Sequence, residues 1–317
     1  MLKYLVILLD DTATSFCHYA ASKTEKRPIA PETLRNGILF AMKENLNVQF
    51  VYPDYALPAE YETIVESIDH VKIVSSHCES SDLKKAADIV VFNGWDDIEN
   101  FAWNSEKAYV LRTPKAELFE RCDTLKTLLG KAGRLNVVIT DVETFTETDF
   151  EKYKRALASL SESIEKRYID GEAPQLNVLT DRMMLEAMNN CNAGDEVITL
   201  APDGRFYVCP AFYYEQAYSI GSPTDGTDIK NPQLYKLAYA PICRHCDAYQ
   251  CKRCVWLNRK TTLEVNTPSH EQCVAAHLER NESRRLLGNI RKVGQFMPET
   301  DIPEIDYLDP FDNHDKW

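Results

Sequence analysis

The chain lacks basic excess: 36 lysines and arginines face 49 aspartates and glutamates, a formal charge of −13 with a pI near 5.1. Binding to phosphate backbones or anionic lipid starts from cationic neutralisation, so sequence-independent nucleic-acid binding and a membrane surface are both excluded as partners. No stretch approaches the ~18 apolar residues of a membrane-spanning helix. The apolar run at residues 4–9 is shorter than a secretory signal requires and ends at Asp10-Asp11. The reading is a cytoplasmic chain in a reducing compartment, where ten cysteines point to metal or catalysis rather than disulfides. Internal repeats and low-complexity blocks are also missing.

What is present begins with length. The 317 residues suggest about two domains, and 44% hydrophobic residues can fill a core. Short apolar runs rich in Val and Ile recur at 2–9, 48–52, 71–74, 89–92, 109–111 and 135–139. Each is too short for a helix and reads as a buried strand. Amphipathic stretches lie between them: Leu34, Ile38, Ala41 and Met42 share one face, as do Phe150, Tyr153, Leu157, Leu160, Ile164 and Tyr168. Thr146 with Asp149 reads as the cap of that second helix. Six strand–helix units in series predict an α/β fold with a parallel sheet, open or closed into a barrel.

The cysteines divide the chain. Cys17, Cys78 and Cys122 are scattered, whereas Cys191, Cys209, Cys243, Cys246, Cys251, Cys254 and Cys273 fall within 83 positions. In that region a hairpin is expected from strands at 196–200 and 205–208 around Pro202-Asp203-Gly204, and a helix at about 271–293. Residues 297–317 hold seven acidic residues against one lysine and read as a loose or surface-draped tail.

Four cysteines between Cys243 and Cys254 can converge on one or two metal centres, because thiolate is a soft ligand for zinc or iron–sulfur. A zinc ribbon usually separates its cysteine pairs by ~12–20 residues. Here four residues separate Cys246 from Cys251, closer to the short spacings that wrap an iron–sulfur cluster. Arg244, Lys252 and Arg253 either offset cluster charge or are solvated. In the zinc alternative, His245 and His270 are near enough in sequence to be ligands.

Cys191, twelve residues, then Gly204-Arg-Phe-Tyr-Val-Cys209 resembles the opening of a SPASM domain, the auxiliary cluster module of radical-SAM peptide-modifying enzymes. That family continues Cys-x2-Cys-x5-Cys-x3-Cys and a last cysteine. This chain has x2, x4 and x2, then Cys273, so all seven cysteines are in order with two spacings one residue short. The resemblance implies that Cys191, Cys209 and Cys254 hold one four-iron (4Fe-4S) cluster, with its fourth ligand open or unidentified. It implies a second cluster on Cys243, Cys246, Cys251 and Cys273. Radical-SAM enzymes also carry Cys-x3-Cys-x2-Cys after the first strand. Here that loop has Cys17 alone, so cleavage of S-adenosylmethionine by this chain is not expected.

A narrower resemblance spans nearly the whole chain. Leu-Leu-Asp10-Asp-Thr, Ser15-Phe-Cys-His-Tyr19, Gly37-Ile-Leu-Phe-Ala-Met-Lys-Glu-Asn-Leu46 and Leu200-Ala-Pro-Asp-Gly-Arg-Phe-Tyr-Val-Cys209 are similar to the CXXX repeat peptide maturases. That family lacks the S-adenosylmethionine cluster motif and is associated with small peptides in which Cys recurs every fourth residue. The resemblance implies a partial (β/α)6 TIM-like barrel of radical-SAM type over 1–182, a SPASM-like domain over 183–296 and the acidic tail. It also implies a role in maturing a cysteine-rich precursor peptide. The chain would act either as the modifying protein or as a presenter to a separate radical-SAM enzyme.

In such a barrel the functional residues gather where strands end. The candidates are Asp10, Asp11, Cys17 and His18 after the first strand, then Asp54, Tyr55, His77 and Cys78. Asn93, Trp95, Asp96, Asp97, Arg112, Asp141 and Glu143 follow at later strand ends. Cys17, His18 and Asp10 are the expected catalytic set, since a thiol beside an imidazole is the pattern of nucleophilic catalysis. Cys122 reads as packing, and Phe212-Tyr213-Tyr214 as cover for a cluster.

Overall fold

A computed structural model describes residues 1–20, 23–188 and 190–303. Of the expected acidic tail, residues 304–317 lie outside the described residues. The chain is a mixed α/β protein whose central sheet has nine strands and is largely parallel. The elements run β1 (Tyr4–Leu8), α1 (Pro31–Glu44), β2 (Asn47–Val51), α2 (Ala59–Val65), β3 (His70–Ser75), α3 (Ser81–Ala86) and β4 (Ile89–Asn93). They continue with β5 (Ala108–Thr113), α4 (Lys115–Glu120), α5 (Cys122–Leu128), β6 (Arg134–Ile139), α6 (Glu147–Ile169), β7 (Gln175–Leu176) and α7 (Asp181–Met184). Then come β8 (Val197–Leu200), β9 (Phe206–Tyr207), α8 (Pro210–Tyr214), β10 (Gly221–Ser222), β11 (Gly226–Thr227), α9 (Val255–Thr262) and α10 (His270–Val293).

The chain forms two compact units, each built from two segments. The first takes Met1–Ile98 and Cys191–Ala240, the second Glu99–Asn190 and Pro241 onward.

In the first unit the strand order is β4-β3-β2-β1-β8-β9, parallel throughout except for the β8–β9 hairpin. The hairpin expected around Pro202-Asp203-Gly204 is present, and its first strand pairs in parallel with β1. Leu5, Ile7 and Leu8 of β1 are fully buried, each such side chain contributing ~1.5–3 kcal/mol of transfer free energy. Helix α1 lies so close to β8 that a Cβ at Gly37 would meet Leu200 Cδ2 at 2.4 Å. Leu34, Ile38 and Ala41 bury the expected face, but Met42 is 60% exposed. Eight residues past Leu34, Met42 has rotated off the stripe at 3.6 residues per turn.

In the second unit β5, β6 and β7 are parallel, and α6 packs along α10. The α6 cap matches the expectation. Thr146 accepts from the Asp149 N–H, and the Asp149 carboxylate accepts the Thr146 N–H in return. Helix α10 follows its Ser269 cap and begins at His270, within a residue of the expected start.

A second expectation fails. The fourth of the six strand–helix units has no helix, since residues 94–107 between β4 and β5 are turns and irregular chain. Gly94 and Asp97 take positive φ angles of 114° and 61°, which end the backbone run before a helix can nucleate. Among the described residues no helix is long and apolar enough to cross a membrane.

Candidate functional site

At the C-terminal end of β1 the chain places two consecutive buried carboxylates. Asp10 is fully buried with both oxygens engaged. Its Oδ1 accepts from the Thr12 N–H at 2.8 Å and the Thr12 hydroxyl at 2.6 Å, and its Oδ2 accepts from Tyr55 at 2.8 Å. Loss of water and the Asp10 carboxylate push the Tyr55 hydroxyl pKa up, so Tyr55 stays a neutral donor. Asp11, 5% exposed, receives Arg27 Nε at 2.8 Å, Lys23 Nζ at 3.5 Å and a hydrogen bond from the Tyr213 hydroxyl. Arg27 Nη2 also donates to Tyr213 Oη at 2.9 Å, and Lys23 stands 3.5 Å over the Tyr213 ring.

Tyr214 reaches the same loop, donating to the Ala13 carbonyl at 3.4 Å and stacking on Tyr19 at 5.6 Å. Tyr213 and Tyr214 thus hold the loop after β1. Burial and the neighbouring Asp11 raise the Tyr213 pKa, which keeps its proton for that bond. Arg27, Lys23 and the Thr12 hydroxyl are members of this site that sequence reasoning missed.

The other rim residues of the first unit are spread out. Cys17 and His18 are half-buried in the loop that follows Asp11. Asn93 donates to Thr14 Oγ1 at 2.9 Å, and His77 Nδ1 lies 3.4 Å from Asp97 Oδ2 at the surface. Trp95 is buried, and Asp54 and Asp96 are exposed. Cys78 is buried, and loss of water raises its thiol pKa, so it is held neutral. In the second unit Arg112 is buried on β5. Asp141 accepts the Lys115 N–H at 2.8 Å, and Glu143 pairs with Lys260 at 2.7 Å. Cys122 opens α5 with its sulfur 3.8 Å from the Ala156 carbonyl, the packing role expected of it.

None of the ten cysteines is in a disulfide. Cys191 and Cys209 belong to the first unit, Cys209 as the residue before α8; Cys254 belongs to the second, as the residue before α9. The remaining four, Cys243, Cys246, Cys251 and Cys273, all belong to the second unit. Their loop is anchored to α10 by charge. The Arg280 guanidinium, 1% exposed, binds both Asp247 oxygens at 2.8–3.1 Å, and Arg182 stands 3.7 Å from the same carboxylate. Gln250 donates to the Ala276 carbonyl at 2.7 Å and to Glu279 at 3.2 Å. Glu279 also accepts from Tyr153 at 2.7 Å; loss of water still pushes its pKa up to about 7.

Within this loop, Cys246 Sγ accepts the Ala248 N–H at 3.4 Å and lies 3.5 Å from His277 Nε2. Loss of water, then the nearby Cys243 and Cys246, push the Cys251 thiol pKa up. Thiolates gathered in this way need a cation among them, so the donor chemistry fits a soft metal or an iron–sulfur group. Among the described residues, no group of three or more His, Cys, Asp or Glu side chains is already drawn together around a single ion position. The histidines named for the zinc alternative, His245 and His270, are exposed. His277 is the buried one, and its signal in the sequence is the single helical turn that separates it from Cys273.

No protein-family profile matches this sequence, and no curated protein matches it. Solved structures do share its fold. The structure of anSMEcpe, a radical-SAM/SPASM anaerobic sulfatase-maturating enzyme, with bound AdoMet and Kp18Cys peptide is similar at a TM-score of 0.62. The identity is 12%, over 91% of this chain and 99% of that one. The same protein with bound AdoMet and Cp18Cys peptide gives 0.62 at 12% identity, over 92% and 100% of the two chains. Its hexahistidine-tagged form with bound AdoMet gives 0.62 at 11%, over 93% and 97%. At these identities the likeness is one of fold alone.

Proposed function

We infer that this protein takes part in the maturation of a small cysteine-repeat peptide as a SPASM-type iron–sulfur protein that does not itself cleave S-adenosylmethionine. The observation that carries the reading is the fold shared, over 91% of the chain, with a maturase crystallised with AdoMet and a peptide. The seven ordered cysteines and the single Cys17 after β1 support its narrower form. In this reading 1–182 is the degenerate barrel, 183–296 the cluster-bearing part and 297–317 the acidic tail.

Cys191, Cys209 and Cys254 would hold one cluster, and Cys243, Cys246, Cys251 and Cys273 the other. Such clusters, when bound, supply an electron route and an iron that a peptide thiol can reach. The chain's own part is to hold that loop rigid through Asp247–Arg280 and Gln250–Glu279, and to keep water from the thiols. Cys17, His18 and Asp10 are the proposed catalytic residues at the end of β1. Asp10 acts there by fixing the loop through Thr12 and Tyr55.

A second reading, a peptide presenter for a separate radical-SAM enzyme, is favoured by the state of that loop. Both carboxylates already hold side-chain partners within the first unit. Co-expression with a cysteine-repeat peptide and measurement of peptide mass tests the two. A mass change abolished by Cys191→Ala, Cys254→Ala and Cys17→Ser supports the modifying role. A change that survives all three and needs only a partner's active site supports the presenter, and an unchanged mass contradicts the modifying role.

A further inference from the structure

Cys246 carries an arrangement that neither the cysteine spacing nor the fold assigns. Its sulfur accepts the Ala248 backbone N–H at 3.4 Å and faces His277 Nε2 at 3.5 Å. A thiol is a weak donor, and a sulfur onto which a backbone N–H already points is acting as acceptor. The second contact is satisfied best when Nε2 carries the ring hydrogen. His277 is 2% exposed and stands four residues after Cys273 on α10, so one helix face offers a thiol and, one turn on, an imidazole.

We propose that His277 is a positioning residue of the Cys243–Cys246–Cys251–Cys273 site, donating its Nε2–H to Cys246 Sγ. The bond fixes that sulfur's direction. The consequence for a bound centre rests on the iron–sulfur reading above, but the tautomer of His277 does not. A hydrogen bond to a ligating sulfur favours the more reduced, more negative state, so it raises the centre's potential.

Two measurements on the full chain test this. In reduced, metal-free protein labelled with [15N]histidine, the ring signals of His277 are identified by their loss in His277→Gln. The expected result is a protonated Nε2 and an unprotonated Nδ1; the reverse tautomer overturns the proposal. In protein purified without oxygen, His277→Phe should keep the iron content but make the midpoint potential of one centre more negative. His277→Gln, which retains an N–H donor, should recover most of that shift. An unchanged potential in His277→Phe overturns the proposal. So does loss of metal in both variants to the extent seen in Cys246→Ser, because His277 would then be a ligand. Wild-type protein without iron contradicts the function proposed above, and the tautomer then decides the role of His277 alone.

Discussion

The Tyr213 hydroxyl donates to the buried Asp11 carboxylate across 202 residues of sequence, and Arg27 binds both partners. This contact ties the loop after β1 to the segment just beyond Cys209, so the two distant segments of the first unit close on one polar centre. Removing the donor leaves a buried carboxylate one partner short.

Tyr213→Phe should therefore destabilise the protein by ~1.5–3 kcal/mol, the range for a hydrogen bond to a charged group. Urea unfolding of the two proteins under identical conditions checks this. A difference under ~0.5 kcal/mol, the size of an ordinary surface change, would contradict a structural role for the contact.

Arg280→Met should have a second kind of effect. It leaves Asp247 with the more distant Arg182, and breaking a buried pair from one side costs ~3–5 kcal/mol. Because Asp247 lies next to Cys246, the loop should loosen as well. The expected outcome is faster reaction of Cys246 and Cys251 with a thiol reagent in metal-free protein, read by labelling and peptide mapping. Unchanged labelling would contradict the anchoring role.

Glu279 gives a pH dependence of known sign. Below about pH 4.5 its carboxyl is protonated in both folded and unfolded chains. As pH rises from 4.5 to about 7 the unfolded chain ionises it while the folded chain, with the carboxyl under protein, resists. The stabilising contribution is therefore complete at acid pH and lost as pH rises through that window. Tyr153, Gln250 and Lys252 favour the charged form, and Asp181 opposes it. Metal-free wild-type protein should lose stability over this window relative to Glu279→Gln, by urea midpoints at several pH values. Parallel curves for the two proteins would contradict the raised pKa.

Much of the fold was legible because its signals are local. The six short Val- and Ile-rich runs became β1 to β6, and Thr146 with Asp149 marked the start of α6. The missing fourth helix was harder to see, because its absence turns on the backbone at Gly94 and Asp97. The pairing of β8 with β1 leaves no periodic trace, since it joins residues far apart in the chain. The site divides in the same way. Asp10, Asp11 and the cysteine loop stood out by residue type, but Tyr55, Arg27 and Tyr213 reach them only through the fold. His277 was overlooked in favour of His245 and His270, which are nearer to cysteines in sequence but exposed in the structure. The spacing that marks His277 has meaning only once α10 is known to be continuous there.

The central claim is that the ordered cysteines hold iron–sulfur clusters, and metal analysis of the full chain purified without oxygen tests it most directly. The account predicts iron with matching acid-labile sulfide, reduced in amount by Cys191→Ala and, separately, by Cys246→Ser. Zinc without iron or sulfide would contradict it.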